Sequence, residues 1–316
     1  MIGLFFWRLK FFLLFFISFI KVFSSSPYHL VWQCHGCEDE WVKEILKNVS
    51  YDEIDDCKCS VFLDNSILIL TGPGEKDYRP YIRELVRKGY KFGLIILGDE
   101  ECKTHTDYYL DARFVLRNYW DEKYSGFPNV LFFPLGYVKN FWNSEDSEIR
   151  LISEQRSIFE RQYTWAFLGD LKKTTRKIMY NNMKKIPGNY YVHKFAGFLA
   201  ENALSREEYR DILQETIFIP SPQGNVSLDC FRTYEALESG AIPIVERRSI
   251  DYYSKILGEY PFPSVRNWDE VAPLLKQLLK HPDQLENQRK KCFFWWLNYK
   301  KTMQDNVKKI IDETMQ

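Results

Sequence analysis

The stretch F-I-P-S-P-Q-G-N-V-S-L-D-C-F-R-T-Y-E-A-L-E-S-G-A-I-P-I-V-E, Phe218 to Glu246, decides how this chain is read. Ile217 to Ile219 is a short apolar strand running into a loop with Pro220, Pro222 and Gly224. A helix is expected from near Asp229, a good N-cap, to Gly240, and Ile242 to Val245 is the next strand. In open α/β sheets ligands bind beyond the carboxyl ends of the strands, which is where this loop lies. Gly224 lets the backbone approach a ligand closely. The helix start offers free N–H groups and a positive dipole end to a phosphate. Arg232 adds a permanent cation able to grip a diphosphate bidentately. Glu235, three residues on, lies beside it on the helix surface and either accepts ribose hydroxyls or pairs with Arg232.

Working outward, strand and helix patterns alternate on both sides of this segment. In the first half the strands are Tyr28 to Trp32, Ser66 to Leu70, Phe92 to Leu97, Phe114 to Arg117 and Val130 to Phe133. Helices are expected over Glu38 to Asn48 and Tyr78 to Lys88. In the second half, strands at Tyr163 to Leu168 and Tyr190 to Lys194 alternate with helices at Thr175 to Lys185 and Arg206 to Gln214, the last introduced by Ser205 as N-cap. Trp268 to Lys280 is a further helix, and Gln284 to Met315 is a long basic-aromatic helix or pair of helices. Continuous apolar strands separated by helices imply parallel sheets covered on both faces. The polar run Asn143 to Arg156 reads as a linker. The division expected is a leader over 1–26, one Rossmann-like lobe over 27–150, a second over 151–285 and a helical segment over 286–316, the two lobes facing a cleft.

Two other strand ends carry candidate chemistry. Gly169-Asp170, followed by Lys172, Lys173 and Arg176, reads as a second phosphate grip. Asp99-Glu100-Glu101, just beyond the strand ending at Leu97, offers a carboxylate as general base for an acceptor hydroxyl.

The 316 residues carry 43 basic and 43 acidic side chains, and this neutrality argues against a nucleic-acid partner. Aromatic residues make up 17% of the chain and supply large cores, with stacking platforms for sugar rings as the sharper use. Arg8 and Lys10, the apolar run Phe11 to Ile20 and then Ser24 to Ser26 describe entry into the secretory pathway, by a cleaved signal or as a type II anchor. The sequons at Asn48 and Asn225 fit a luminal protein, with Asn225 expected to be unmodified inside the site loop. Of the seven cysteines, Cys34 and Cys37 form C-x-x-C and Cys57 and Cys59 form C-x-C. Disulfides are expected in an oxidising lumen, and a zinc site is the alternative in a reducing one.

The 218–246 segment resembles the signature of exostosin-type glycosyltransferases, an F-x-x-x-P-x-G loop followed by F-R-x-x-E-A-L-x-x-G-x-I-P-V. It stands here as Phe218, Pro222, Gly224, Phe231-Arg232, Glu235-Ala236-Leu237, Gly240 and Ile242-Pro243-Ile244-Val245. Upstream, Gly98-Asp99-Glu100, Leu116-Arg117-Asn118-Tyr119-Trp120 and Phe133-Pro134-Leu135-Gly136-Tyr137 are similar to motifs of exostosin-like luminal transferases, ribitol xylosyltransferase relatives among them. The resemblance implies a two-lobed GT-B fold and a nucleotide-sugar donor held by the second lobe. It also implies inversion at the sugar carbon and residence in the Golgi or endoplasmic reticulum.

The expected enzyme therefore transfers sugar from a UDP-sugar to a glycan or glycoprotein hydroxyl. Gly169, Arg176, Gly224, Asp229, Arg232 and Glu235 hold the donor, and Asp99 or Glu100 acts as base. Arg117 and Asn118 position the acceptor or brace the cleft. No cofactor is expected, because no D-x-D motif occurs in the chain and Arg232 with the helix start must offset the diphosphate's charge. A fucosyltransferase using GDP-fucose is a rival reading, although its Y-x-T-E-K-like element is replaced here by Phe231-Arg232-Thr233-Tyr234-Glu235. A non-catalytic luminal sugar-binding protein on the same fold is another.

Overall fold

A computed structural model describes residues 26–71, 76–142, 156–195 and 201–316. The expected leader (Ser26 apart), the Gly72-Pro73-Gly74 turn and nearly all of the Asn143 to Arg156 linker lie outside the described residues. The first lobe comprises β1 (Tyr28–Trp32), α1 (Asp39–Ile45), β2 (Tyr51–Asp55), β3 (Ser66–Thr71), α2 (Arg79–Arg87), β4 (Phe92–Leu97), β5 (Val115–Arg117) and β6 (Val130–Phe132). Its six strands form one parallel sheet in the order β2-β1-β3-β4-β5-β6. β4 is buried at every position, as a strand covered on both faces must be.

The second lobe comprises β7 (Tyr163–Leu168), α3 (Arg176–Met183), β8 (Tyr190–His193), α4 (Arg206–Gln214), β9 (Thr216–Ser221), α5 (Phe231–Glu238), β10 (Ile242–Glu246), α6 (Tyr252–Leu257), β11 (Ser264–Val265) and α7 (Val271–Leu279). Its parallel sheet has the order β11-β10-β9-β7-β8. β8 lies on one side of β7 and β9 on the other, so the winding direction reverses at β7 and opens a crevice beyond the carboxyl ends of β7 and β9.

Most elements fall where the periodicity puts them, and the differences have local causes. The opening loop begins later than expected, since β9 continues through Pro220 to Ser221. β9 pairs with β7 at Thr216 and Phe218 and with β10 from Phe218 to Ser221. The ladder thus passes from one neighbour to the other where Pro220 lacks an N–H. Asp229 does not cap α5, whose N-cap is Cys230 without a side-chain bond, because the Asp229 carboxylate is turned to the Tyr234 hydroxyl. Ser205 does cap α4, in a reciprocal box with Glu208. The edge strand β2 is mostly charged, and α6 and β11 are too short for a period to show.

The C-terminal segment is one helix, α8 (Pro282–Met315), of 34 residues, and it joins the lobes. Trp296 is fully buried, stacks on Trp41 of the first lobe at 5.6 Å and packs against Tyr234 of the second at 5.5 Å. Its indole N–H and the Lys300 ammonium both donate to Glu238 of α5. Farther along, Gln304 donates to the Glu44 carbonyl of α1, and Tyr28 of β1 donates to Asp312. A helix of this length, about 50 Å at 1.5 Å per residue, can reach both lobes where a short one could not.

Trp41 also supports the chain that follows β6. Its indole donates to the Pro134 carbonyl at 2.7 Å. Gly136 has φ +71°, and a Cβ there would meet the Trp41 ring at 2.2 Å. Gly136→Ala is therefore expected to cost about 2–4 kcal/mol, from the left-handed backbone and the overpacking together, as read by denaturant titration.

All seven cysteines are free thiols, so the expected disulfides do not form. Cys59 donates to Gln33 at 2.8 Å, and Cys102 and Cys292 are buried apart from the rest. No group of three metal ligands occurs among the described residues. Among the same residues no helix is long and apolar enough to cross a membrane.

Candidate active site

The lobes face each other across a cleft of about 800 Å³, open mouth included. From the second lobe the cleft takes Leu168, Gly169 and Asp170 at the end of β7, Gly224 and Asn225 after β9, and Asp229 to Arg232 with Glu235 around the start of α5. From the first it takes Glu100 after β4, Tyr119 after β5 and Leu135 after β6. Three successive loops of one sheet thus face the crevice of the other.

Two guanidinium groups dominate the floor. Arg232 lies over the Phe167 ring at 4.7 Å and donates to the Leu168 carbonyl at 3.0 Å. Its buried Nε has no partner. Arg176 donates to the Asp170 carbonyl at 3.0 Å and the Gln223 carbonyl at 3.3 Å. Burial, and then the neighbouring Arg232, pull the Arg176 guanidinium down to about 10. Among the described residues neither arginine forms a salt bridge. Gly169 has φ +147°, and a Cβ there would come within 3.1 Å of Arg232 Nη2, so the glycine makes room for the guanidinium. Two close cations with carbonyl partners but no carboxylate describe a site for an anion.

Glu235 is buried and does not pair with Arg232. It accepts from the Tyr209 hydroxyl at 2.8 Å and faces the Val138 N–H at 3.5 Å. Burial raises its carboxyl, and Tyr209 and Arg232 offset part of that. Val138 follows the Gly136 turn, which explains why the Phe133 to Tyr137 motif belongs to the site: it brings first-lobe backbone against a second-lobe carboxylate.

The carboxylates expected to serve as base are placed differently. Asp99 is buried inside the first lobe and does not line the cleft. It accepts from the Lys103 N–H at 2.7 Å, from the Thr104 N–H and hydroxyl, and from Arg117 at 3.1 Å. With its lone pairs filled, it is a brace for the loop after β4 and not a base. Glu100 does reach the cleft, but its Oε1 accepts from the N–H groups of Asn225, Val226 and Ser227 at 2.9, 2.8 and 3.0 Å. A run of N–H groups converging on one oxygen is an anion nest. Here a first-lobe carboxylate fills it, tying the lobes across the cleft, and a Cβ on Gly224 would press on that oxygen at 2.9 Å. The sequon residue Asn225 is engaged as well, since Lys173 donates to its amide oxygen at 2.8 Å.

Arg117 and Asn118 are fully buried and brace the first lobe without facing the cleft. Arg117 lies 3.7 Å over the Tyr124 ring and donates to the Tyr109 hydroxyl, and Asn118 donates to Glu38 at 2.7 Å. Glu38, which the sequence did not single out, is pushed up to about 7 by burial, partly offset by Asn118 and the Gly98 amide.

Asp229 lines the cleft with a carboxylate that is not saturated. Oδ1 accepts from Tyr234 at 2.6 Å, and Oδ2 is buried without a partner. Burial raises its carboxyl to about 7, with the Tyr234 hydroxyl and the Leu135 and Cys230 amides working against the rise. The sequence reading made Asp229 a cap and a donor-binding residue, and the fold shows in place of the cap a buried carboxyl raised to about 7.

Residues 144–316, just over half the chain, match the family described as the RXYLT1 C-terminal domain. The chain belongs to that family. Among curated proteins it is similar to ribitol-5-phosphate xylosyltransferase 1 of Mus musculus and of Homo sapiens, each 25% identical over 282 residues, covering 77% of this chain and 60% of the relative. The Danio rerio protein of the same name is 21% identical over 285 residues, covering 79% and 63%. The chain spans about 60% of the length of these relatives. Among solved structures, an α1,3-fucosyltransferase superposes with a TM-score of 0.51 at 14% identity, over 90% of this chain and 91% of that one. TarM does so with 0.51 at 12%, over 78% and 55%. Likeness at this identity concerns architecture, and the architecture is GT-B: two parallel Rossmann-like lobes around a cleft.

Proposed function

We propose that this protein is an inverting glycosyltransferase that moves a pentose from a UDP-sugar to a hydroxyl of a phosphorylated polyol or glycan acceptor. The observation that carries the reading is the convergence of Arg176 and Arg232, without a carboxylate partner, at the crevice beside buried Glu235. The relatives' printed name supports the pentose and the polyol phosphate. In this reading Arg232 and Arg176 hold the diphosphate and stabilise the charge that develops on it as the glycosidic bond breaks. Gly169 and Gly224 let the donor approach the backbone, and Glu235 accepts from the ribose. Asp229 takes the role assigned from sequence to Asp99 or Glu100: its unpartnered Oδ2 accepts the acceptor proton. Arg117 and Asn118 act from behind by fixing the loop that carries Tyr119. Because fixed cations meet the diphosphate, no cofactor is invoked. The basic, apolar N-terminal segment and the Asn48 sequon support action in the Golgi or endoplasmic reticulum, with that segment as the contact with the membrane.

Thermal unfolding in the presence of UDP, UDP-xylose, GDP and GDP-fucose tests this reading. Uridine nucleotides are expected to raise Tm, as binding to the native state alone must. A larger shift with guanosine nucleotides would favour the fucosyltransferase reading, and no shift with any nucleotide would favour a non-catalytic binding protein.

A further inference from the structure

A second cationic pocket lies outside the cleft, lined by Arg247, Arg248, Ser249, Asp251 and Arg266. These residues follow β10 and β11, so the pocket opens at the same carboxyl edge of the second sheet as the donor crevice. Three guanidinium groups converge there in a chain whose formal charge is zero. Two carboxylates lie beside them, so the cluster keeps a net positive charge. Glu246 pairs with Arg248 at 2.9 Å, and both carboxylate oxygens of Asp251 face the Tyr260 O–H, which donates to them, while Oδ1 also accepts from the Ser254 N–H. Arg247 and Arg266 form no salt bridge among the described residues, and the buried Nε of Arg247 has no partner. Arg248 is held at φ +53°, a backbone state that costs a non-glycine residue energy and that tends to persist where side-chain placement matters.

The pocket is coupled to the donor site through one residue. Gln223 accepts from Arg176 on its carbonyl and from Arg248 on its side-chain oxygen. A ligand on the three arginines would therefore sit one glutamine side chain away from the diphosphate grip. The donor brings one diphosphate, for which Arg176 and Arg232 suffice. A second cluster of this charge at this distance calls for a second anion, held by the other substrate.

We propose that Arg247, Arg248 and Arg266 form a phosphate subsite for the acceptor, seating a phosphoryl group of a polyol or glycan phosphate while its hydroxyl lies in the cleft. Guanidinium forks match phosphate oxygens bidentately, and three of them select an anionic acceptor over its neutral counterpart. The subsite rests on the transferase reading for its purpose but not for its detection.

The test is calorimetric titration of the full chain, with UDP at saturation, by ribitol 5-phosphate, ribitol and inorganic phosphate, in the wild type and in R247Q/R266Q. Ribitol 5-phosphate is expected to bind the wild type at least 10-fold more tightly than ribitol or inorganic phosphate, and the double variant is expected to lose that advantage. The Tm shift with UDP should be the same in both proteins, because neither arginine touches the donor site. Equal binding of ribitol 5-phosphate to wild type and variant, or no binding to either, overturns the proposal. Inorganic phosphate binding as tightly as ribitol 5-phosphate overturns the acceptor assignment in favour of a free-anion site. Absence of a UDP shift with phosphate binding intact would instead count against the transferase reading alone.

Discussion

Arg232→Ala is expected to lower kcat/KM by about 10³-fold, or ~4 kcal/mol of transition-state stabilisation, while leaving the Tm of the ligand-free protein within a degree or two. The size follows from what Arg232 faces. Its guanidinium is held over Phe167 and by the Leu168 carbonyl, and no carboxylate shares it. Its charge is therefore available to an incoming anion in a partly dry crevice, where such interactions exceed their worth in water. The fold depends on it little, because its removal also relieves the repulsion that pulls Arg176 down. Arg232→Lys should recover part of the loss, keeping a cation but not the bidentate fork. Steady-state kinetics with the UDP thermal shift alongside give the answer, and a variant with unaltered kcat/KM would remove Arg232 from the donor site.

Asp229→Asn is the second large effect, and it acts in opposite directions on activity and stability. With a carboxyl raised to about 7, wild-type activity should climb as pH rises through 7 and level off above it, since the base must be ionised. The variant should lose about 10²–10⁴-fold in kcat/KM and the pH limb with it. The groups around Asp229 do not supply a substitute: Tyr234, Tyr252, Tyr253 and Tyr119 are all raised by burial, and Glu100 is held by the 225–227 amides.

Stability follows from the same shift. A carboxyl whose folded value lies above its unfolded one favours the native state below about 4, and that contribution is lost as pH rises through about 7. At pH 8 the unliganded wild type carries this cost and the asparagine variant does not. Asp229→Asn should then be more stable by roughly 2–4 kcal/mol at pH 8, with the advantage vanishing near pH 4. Urea denaturation at the two pH values tests it. Glu38, raised to about 7 in the same way, adds a parallel fall in wild-type stability that the variant retains. A variant no more stable at pH 8 and still titrating through 7 would assign the limb elsewhere.

The residues of the second lobe that line the cleft were legible because their signals are local. Gly169, Gly224, Arg176, Arg232 and Glu235 sit within a few residues of strand ends that periodicity marks, and strand ends in a parallel sheet share one edge. The surroundings of the first-lobe carboxylates were not legible. Asp99 and Glu100 have the right type and strand position, yet Arg117, eighteen residues on, turns Asp99 inward. Main-chain amides 125 to 127 residues away occupy Glu100. Asp229 was read as a helix cap and a donor-binding residue, and its raised carboxyl was not visible because it depends on burial in the folded protein.

By itself the sequence determined two parallel α/β lobes, their order and the strand ends where chemistry gathers, because strand and helix periods and glycine stops are properties of neighbouring residues. Tertiary structure alone decided that α8 clamps the lobes through Trp296, that Glu100 fills the nest of the opposite loop, and that Asp229 keeps a buried oxygen without a partner beside the cleft. Each of these turns on which groups are desolvated or paired across long sequence separations. A carboxylate's role follows its surroundings, and those exist only once the chain has folded.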